Sequence, residues 1–404
     1  MVSNLVKFML KKDGIVEIML FVSLYLQKIF SIFMKFYFKF FQALFSIFLV
    51  FFLASCSAIP KQRIPQLSLL DVYEIPFETQ FQETKVGGLS GIDYDKKEDL
   101  YYIISDDRSD NDKARIYEAK IKFNNEKIEN IAFEKVIYLK NEKQELFESS
   151  KINPIKSADP EDVRFNPKTN TIVWSSEGER MMIGETAILQ NPSMFEMNKD
   201  GKFLESYHLP AILNMNKEEK GPRRNGVLEG LTFNSNFSKL YVNVEEPLYE
   251  DGAKADLNSG GIIRFFEFDT KTKRNTNQYF YPIDPIAKAP NPENGFAVNG
   301  VSAILMYEKD KFLVVERSYS VGTKACTIKL YSFDLKTAQK NLNKKTILNT
   351  KKLVLNLDSL GIFTDNIEGI TLGPKLANGD QSLLLISDNK FSKEQITQIL
   401  LSKI

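Results

Sequence analysis

Histidine and cysteine are almost missing from this chain. Among 404 residues there is one histidine, His208, and there are two cysteines, Cys56 and Cys326. That scarcity excludes a disulfide framework in practice. It also disfavours zinc, which draws on imidazole and thiolate ligands. A Ser-His-Asp triad would have to use His208, which falls in an expected outer strand. "GGLSG" at 87–91 resembles a nucleophile elbow, but Ile92 stands where G-x-S-x-G needs its second glycine, and the surroundings read strand to strand. There is neither an R-H-G motif nor a phosphate-binding glycine loop with its lysine. An excess of one charge is missing too. Lys+Arg number 53 and Asp+Glu 52, a net charge of +1. No basic stripe alternates with aromatics, so nucleic acid is not expected as a partner. Past the N-terminal segment there is no long amphipathic helical pattern and no βαβ alternation. What remains is a chain with 43% hydrophobic residues, enough for a large core.

The N-terminus reads as targeting rather than fold. Residues 34–56, "MKFYFKFFQALFSIFLVFFLASC", place Lys35 and Lys39 before an apolar run from Phe40 to Leu53, then Leu53-Ala54-Ser55-Cys56. This resembles a bacterial lipoprotein signal peptide, with small residues before a thiol that takes the lipid. A transmembrane anchor is the competing reading. The organisation expected is an over-called start at 1–33, a signal peptide at 34–56 and a tether at 57–65. A propeller domain would fill 66–404. Lipid on Cys56 would hold the protein to a membrane of the bacterial envelope, with the leaflet left open. Cys326 is expected to be a small buried apolar residue.

Five stretches share one layout: "GLSGIDYDKKEDLYYIISDDR" (88–108), "DPEDVRFNPKTNTIVWSSEGER" (159–180), "VLEGLTFNSNFSKLYVNVEEP" (227–247), "GVSAILMYEKDKFLVVERS" (300–318) and "NIEGITLGPKLANGDQSLLLISDNK" (366–390). Each is an alternating strand, a polar turn and a more apolar strand ending in acidic or polar residues, the pattern of a β-hairpin. Ser90, Glu161, Glu229, Ser302 and Glu368 hold one position of the repeat, at spacings of 71, 68, 73 and 66 residues. Most hairpins precede two more strands, for example "ARIYEAKIKF" (114–123) and "ENIAFEKVIYL" (129–139). Four-stranded antiparallel units at a regular period predict an all-β protein, a β-propeller with five four-stranded blades. Six blades are the alternative, and a flat array of sandwiched sheets is the competing architecture. The last unit lacks an outer strand, and "QLSLLDVYEIP" (66–76) is available to supply it. Pairing the N-terminal strand with the C-terminal blade would close the ring and remove an open edge.

In a hairpin the start of the first strand lies beside the end of the second. Glu161 is therefore expected near Ser176 and Glu177, Glu229 near Glu245, and Glu368 near Ser387 and Asp388. The first strand of each blade lines the central channel, so all these ends should meet at one mouth. Glu161, Asp162, Glu229 and Glu368 come from strand starts. Asp106, Asp107, Glu177, Glu179, Glu245, Glu246, Glu316 and Asp388 come from strand ends, with Arg108, Arg180, Arg317 and Lys390. The loop "GPRRNG" adds Arg223 and Arg224. Crowded carboxylates either keep protons or hold a cation. With oxygen ligands only, Ca²⁺ is expected ahead of Mg²⁺. Guanidinium groups beside such an ion suit a phosphoryl group. A structural role competes: a Glu before the first strand could bond the next blade's backbone, with Gly230 and Gly369 allowing close approach.

In combination, "GGLSGIDYD…YYIISDDR", "DPEDVRF…WSSEGER", "LEGLTF…LYVNVEEPLYEDG" and "NIEGITLGP…LLLISDNKF" resemble the phytase-like family described by an esterase-like activity of phytase. The resemblance covers roughly residues 85–392. It implies a secreted or lipid-anchored bacterial propeller for which phosphoester hydrolysis is inferred. It carries over Asp106, Asp107, Glu161, Asp162, Glu177, Glu179, Glu229, Glu245, Glu246, Glu368 and Asp388. The expected catalytic groups are Glu161 or Glu177 activating water, with Arg108, Arg180 and Arg317 stabilising phosphoryl charge. Glu229, Glu368, Asp106, Asp107, Glu245 and Asp388 are the expected metal ligands. The substrate would be a phosphorylated small molecule or a phosphodiester, and the protein a monomer. Two other readings stay open: a Ca²⁺-stabilised propeller that binds a partner or polymer without catalysis, and a lactonase-type esterase.

Overall fold

In the computed structural model the described residues are 19–42, 44–45, 65–341 and 351–404. Cys56, the lipobox and most of the tether lie outside them. The chain divides into two units, 1–63 and 64–404. In the first, Met19–Gln42 is a helix of 24 residues, long and apolar enough to cross a membrane, a test that signal sequences also pass. It runs without a break through Met34, the expected start.

The second unit is a β-propeller of five four-stranded antiparallel blades. From the channel outwards, blade one is Leu89–Asp95, Leu100–Ser105, Arg115–Phe123 and Ile128–Tyr138. Blade two is Pro160–Asn166, Thr171–Ser176, Ser193–Asn198 and Phe203–Ser206. Blade three runs Leu228–Phe233, Lys239–Val244, Ile262–Asp269 and Asn275–Pro282. Blade four runs Ala297–Glu308, Lys311–Ser320, Thr327–Asp334 and Lys351–Asn356. In blade five, Asn366–Lys375, Gln381–Asp388 and Thr397–Lys403 take Ser68–Ile75 as their outermost strand. The ring is thus closed by the N-terminal strand, in register from Ser68 opposite Lys403 to Ile75 opposite Thr397. A hairpin that the repeat pattern did not announce, Glu179–Ile183 with Thr186–Gln190, projects between the second and third strands of blade two.

The second strand of each blade is apolar at nearly every position because both of its faces are covered. In Leu100–Ser105, Tyr101 and Ile103 pack towards blade five while Tyr102 and Ile104 pack towards blade two. Leu384 and Ile386 face blade one, whereas Leu383 and Leu385 face blade four. The core is therefore a set of inter-blade layers. Trp174 lies in one of them, buried as expected.

The channel is plugged. Arg164, on the inner strand of blade two, donates to the carbonyl of Ile92 at 2.6 Å, Leu231 at 2.6 Å, Ile370 at 3.1 Å and Ile304 at 3.3 Å, and to Val163 of its own strand at 3.1 Å. These five carbonyls are equivalent positions, one per blade. Asp162 pairs with the same guanidinium at 3.0 Å and accepts from the amides of Val163 and Leu231. Asp162 is accordingly an axial structural group and not, as expected, one of the acids of the mouth.

Candidate active site

Every inner strand has a register shift where the repeat marker stands: between Leu89 and Gly91, Pro160 and Val163, Leu228 and Leu231, Val301 and Ala303, and Ile367 and Gly369. Such a bulge frees a residue from the ladder and re-aims it. In blades one and four the freed residue is a serine with a structural task. Ser90 Oγ donates to the carbonyl of Glu161 at 2.6 Å, and Ser302 Oγ to that of Ile367 at 2.8 Å. In blades two, three and five it is Glu161, Glu229 or Glu368. The blades press together here: a Cβ on Gly230 would lie 2.5 Å from the amide nitrogen of Ile304, and one on Gly369 2.9 Å from the carbonyl of Ser90. Backbone bonding between blades is thus the task of the serines, which leaves the glutamate side chains for the mouth.

The hairpin registers bring strand ends to these starts, Pro160 opposite Ser176, Leu228 opposite Val244 and Ile367 opposite Ser387. Carboxylate oxygens of Glu161, Glu177 and Glu229 lie within 4.8 Å of one another, as do those of Asp106, Asp159 and Glu161. Among the described residues, neither the Glu161 nor the Glu229 carboxylate accepts a hydrogen bond or meets a cation within 4 Å. Glu177 Oε1 accepts from the amide of Val227 at 2.5 Å. Burial, then repulsion from the neighbouring acids, lifts Asp106, Glu161, Glu177 and Glu229 well above the usual carboxylate range. Burial and the nearby Glu368 push Asp388 up to about 7. Burial also raises Asp159, against the pull of Arg108. Asp159 is a residue that the sequence reading passed over. Its signal was available, two positions before Glu161 in "DPEDVRF".

The cations are partly spoken for. Arg317 pairs with Glu245, Asn366 and Glu368, the last at 3.2 Å. Glu368 Oε2 and Asp388 Oδ2 are buried without a hydrogen-bond partner. Arg108 meets Glu179 at 3.0 Å and Asp159 at 3.6 Å, and Arg224 holds the other oxygen of Glu179 at 3.0 Å. Coulombic attraction to Glu368 leads the causes that raise Lys390.

Asp106, Glu161, Glu177, Glu229, Glu245, Glu368 and Arg317 all line one cavity of about 1060 Å³ at the mouth. Arg108 and Asp388 stand just behind that lining, each in electrostatic reach of Asp106. Other expected residues point elsewhere. Asp107 is buried against Arg115 at 2.8 Å and accepts from the amides of Asp110, Asn111 and Asp112. Arg180 donates to the carbonyls of Asn216, Lys217 and Glu218 and lies over the ring of Tyr249. Glu316, expected at the mouth, is bonded to Tyr281, the amide of Asp284 and Lys351 inside the sheet layers. Cys326 is buried beside the cavity, its thiol pushed up to about 11 by burial.

Oxygen donors without nitrogen or sulfur, mutually repelling and under-satisfied, fit a hard divalent cation. Solved structures similar in fold include an endo-arabinase from Bacteroides thetaiotaomicron, 14% identical over 82% of this chain and 97% of that one, with a TM-score of 0.43. They also include an α-L-arabinofuranosidase from Lactobacillus brevis, 9% identical over 82% and 92%, TM-score 0.44. A third is a periplasmic gluconolactonase from Pseudomonas aeruginosa, 9% identical over 79% and 86%, TM-score 0.34. A search of curated proteins finds no match. A family model does match, over residues 84–391, a span that takes in the five inner hairpins and their acidic motifs: the chain belongs to the phytase-like family, "Esterase-like activity of phytase".

Proposed function

We propose that the protein is a cation-dependent hydrolase of phosphate esters, acting at the acidic mouth of its propeller. One observation carries this: carboxylates from blades one, two and three converge within 4.8 Å in two groups that share an unpaired Glu161. The donor set favours Ca²⁺ ahead of Mg²⁺. Glu161, Glu177 and Glu229 would hold it, with Asp106 and Asp159 offering a second position beside Glu161. The ion would supply Lewis acidity to an ester oxygen. The chain's own part is acid–base and electrostatic. Asp106, lifted well above the usual carboxylate range by burial and by the neighbouring acids, would give a proton to a leaving oxygen. Glu177, oriented by the amide of Val227, would take a proton from water when in its ionised form. Arg317 and Lys390 set positive charge near the oxygens of the reacting group, with Arg108 behind Asp159.

The test uses p-nitrophenyl phosphate, bis-p-nitrophenyl phosphate and phytate, with and without EDTA. Glu229→Gln is expected to cut turnover by about 100-fold and to weaken calcium binding in parallel. Unchanged turnover at saturating Ca²⁺ would remove Glu229 from the site. Turnover confined to a lactone panel would replace the phosphoester with a carboxyl ester. If nothing is turned over and EDTA only lowers the melting temperature, the mouth is a calcium-stabilised binding surface.

The apolar helix Met19–Gln42 and the residues after it support a second part of the proposal, that lipid on Cys56 ties the propeller to the bacterial envelope. The native protein should then partition into the detergent phase of a Triton X-114 extract, and Cys56→Ser should move it to the aqueous phase.

A further inference from the structure

Carboxylates of blades one, two, three and five line most of the cavity at the mouth. Among them, around blade four and the segment leading to blade five, lie Phe296, Val298, Tyr319 and Phe363. Phe296 is 64% exposed and Phe363 42%. The rings of Phe296 and Tyr319 lean on each other at 6.3 Å between centroids. Two exposed phenyl groups at one cavity offer apolar surface that a ligand can cover. Polar residues of the cavity engage one another: Arg317 pairs with Glu245 and Lys254 with Glu246. The rings have no such partners and are left for an apolar group.

Building on the hydrolase reading above, we infer that Phe296, Tyr319 and Phe363 form a subsite for an apolar ring of the substrate. The preferred substrate is then an ester of an apolar alcohol. The ring lies against the phenyl groups while the ester head reaches the carboxylates.

Calorimetry with phenylphosphonate and methylphosphonate, in the presence of Ca²⁺, holds the head group constant and varies the ring. Phenylphosphonate should bind about tenfold more tightly. A Phe296→Ser, Phe363→Ser double variant should lose that preference while keeping its melting temperature and its methylphosphonate affinity, since both side chains are exposed. Uncharged 2-naphthol, followed by its own fluorescence, tests the ring site without any head group. If neither phosphonate binds but naphthol binds to the native protein and not to the double variant, the ring subsite stands and the phosphoester reading falls. If the phosphonates bind equally and naphthol does not bind, the subsite is overturned and the phosphoester reading survives.

Discussion

Glu161 takes its chemical character from what surrounds it: burial on one side, Asp106, Glu177 and Glu229 on the other, and no cation within ion-pair distance among the described residues. Each raised carboxylate binds a proton more tightly folded than unfolded, so the stability it contributes is fully present below its unfolded pKa. That stability is lost as pH rises through the folded pKa. For Asp388 the window runs from 3.8 to about 7, and for Asp162, raised mainly by burial, it is the same. Asp106, Glu161, Glu177 and Glu229, raised in the same direction, add to the loss. The metal-free protein should therefore melt at least about 5 °C lower at pH 8 than at pH 5. Added Ca²⁺ should raise the melting temperature more at pH 8, where the carboxylates are free to bind it, than at pH 5. Scanning calorimetry at both values in EDTA and in Ca²⁺ reads this directly, and a calcium effect equal at the two would remove the carboxylate cluster as the binding site.

At the scale of the strand, one repeated device does two jobs. The bulge at each marker re-aims a side chain, to the mouth in blades two, three and five and to the next blade's backbone in blades one and four, and two residues later the carbonyl of the same strand turns to Arg164. Replacing Arg164 with Met would leave those carbonyls and Asp162 buried without their donor. Since each stranded group costs about 1–3 kcal/mol and a broken buried ion pair about 3–5 kcal/mol, the variant should unfold at clearly lower urea. A midpoint within error of the native one would show that the axis is held some other way. Most strands and the ring closure could be read from sequence because alternation and turn chemistry are local and repeat five times. The marker acids could be read too, since hairpin register fixes which strand start meets which strand end. Arg164 could not. In "DPEDVRF" it looks like a solvent-facing residue of an alternating strand, and only the ring turns that face into an axis. Side-chain aim also escaped the sequence: Asp107 and Asp106 are adjacent, yet one caps a loop against Arg115 while the other faces the cavity. Arg180 and Glu316 were likewise placed by strand position alone, and their partners come from loops and layers that the repeat does not encode.

For the molecule as a whole, closure rests on one strand drawn from the far end of the chain. Ser68–Ile75 pairs with Thr397–Lys403, and its side chains alternate between the two neighbouring layers. Leu69 and Val72 pack with the layer against blade four, and Leu70 and Tyr73 with the layer against blade one. Asp71 adds a bond across the gap, accepting from the amide of Ile128 in the outer strand of blade one at 2.8 Å. Without this strand, Thr397–Lys403 would present an unpaired apolar edge, the kind that recruits other chains. Inter-blade layers transmit the loss, because each blade's second strand is covered only by its neighbours. A chain shortened to begin at Phe77 should accordingly melt more than about 10 °C lower and form soluble aggregates on size-exclusion chromatography. A chain beginning at Pro65, which keeps the strand, should melt with the full-length protein. Equal melting of the two shortened chains would mean that the ring holds without its clasp, and that the mouth owes its geometry to the axial arginine alone.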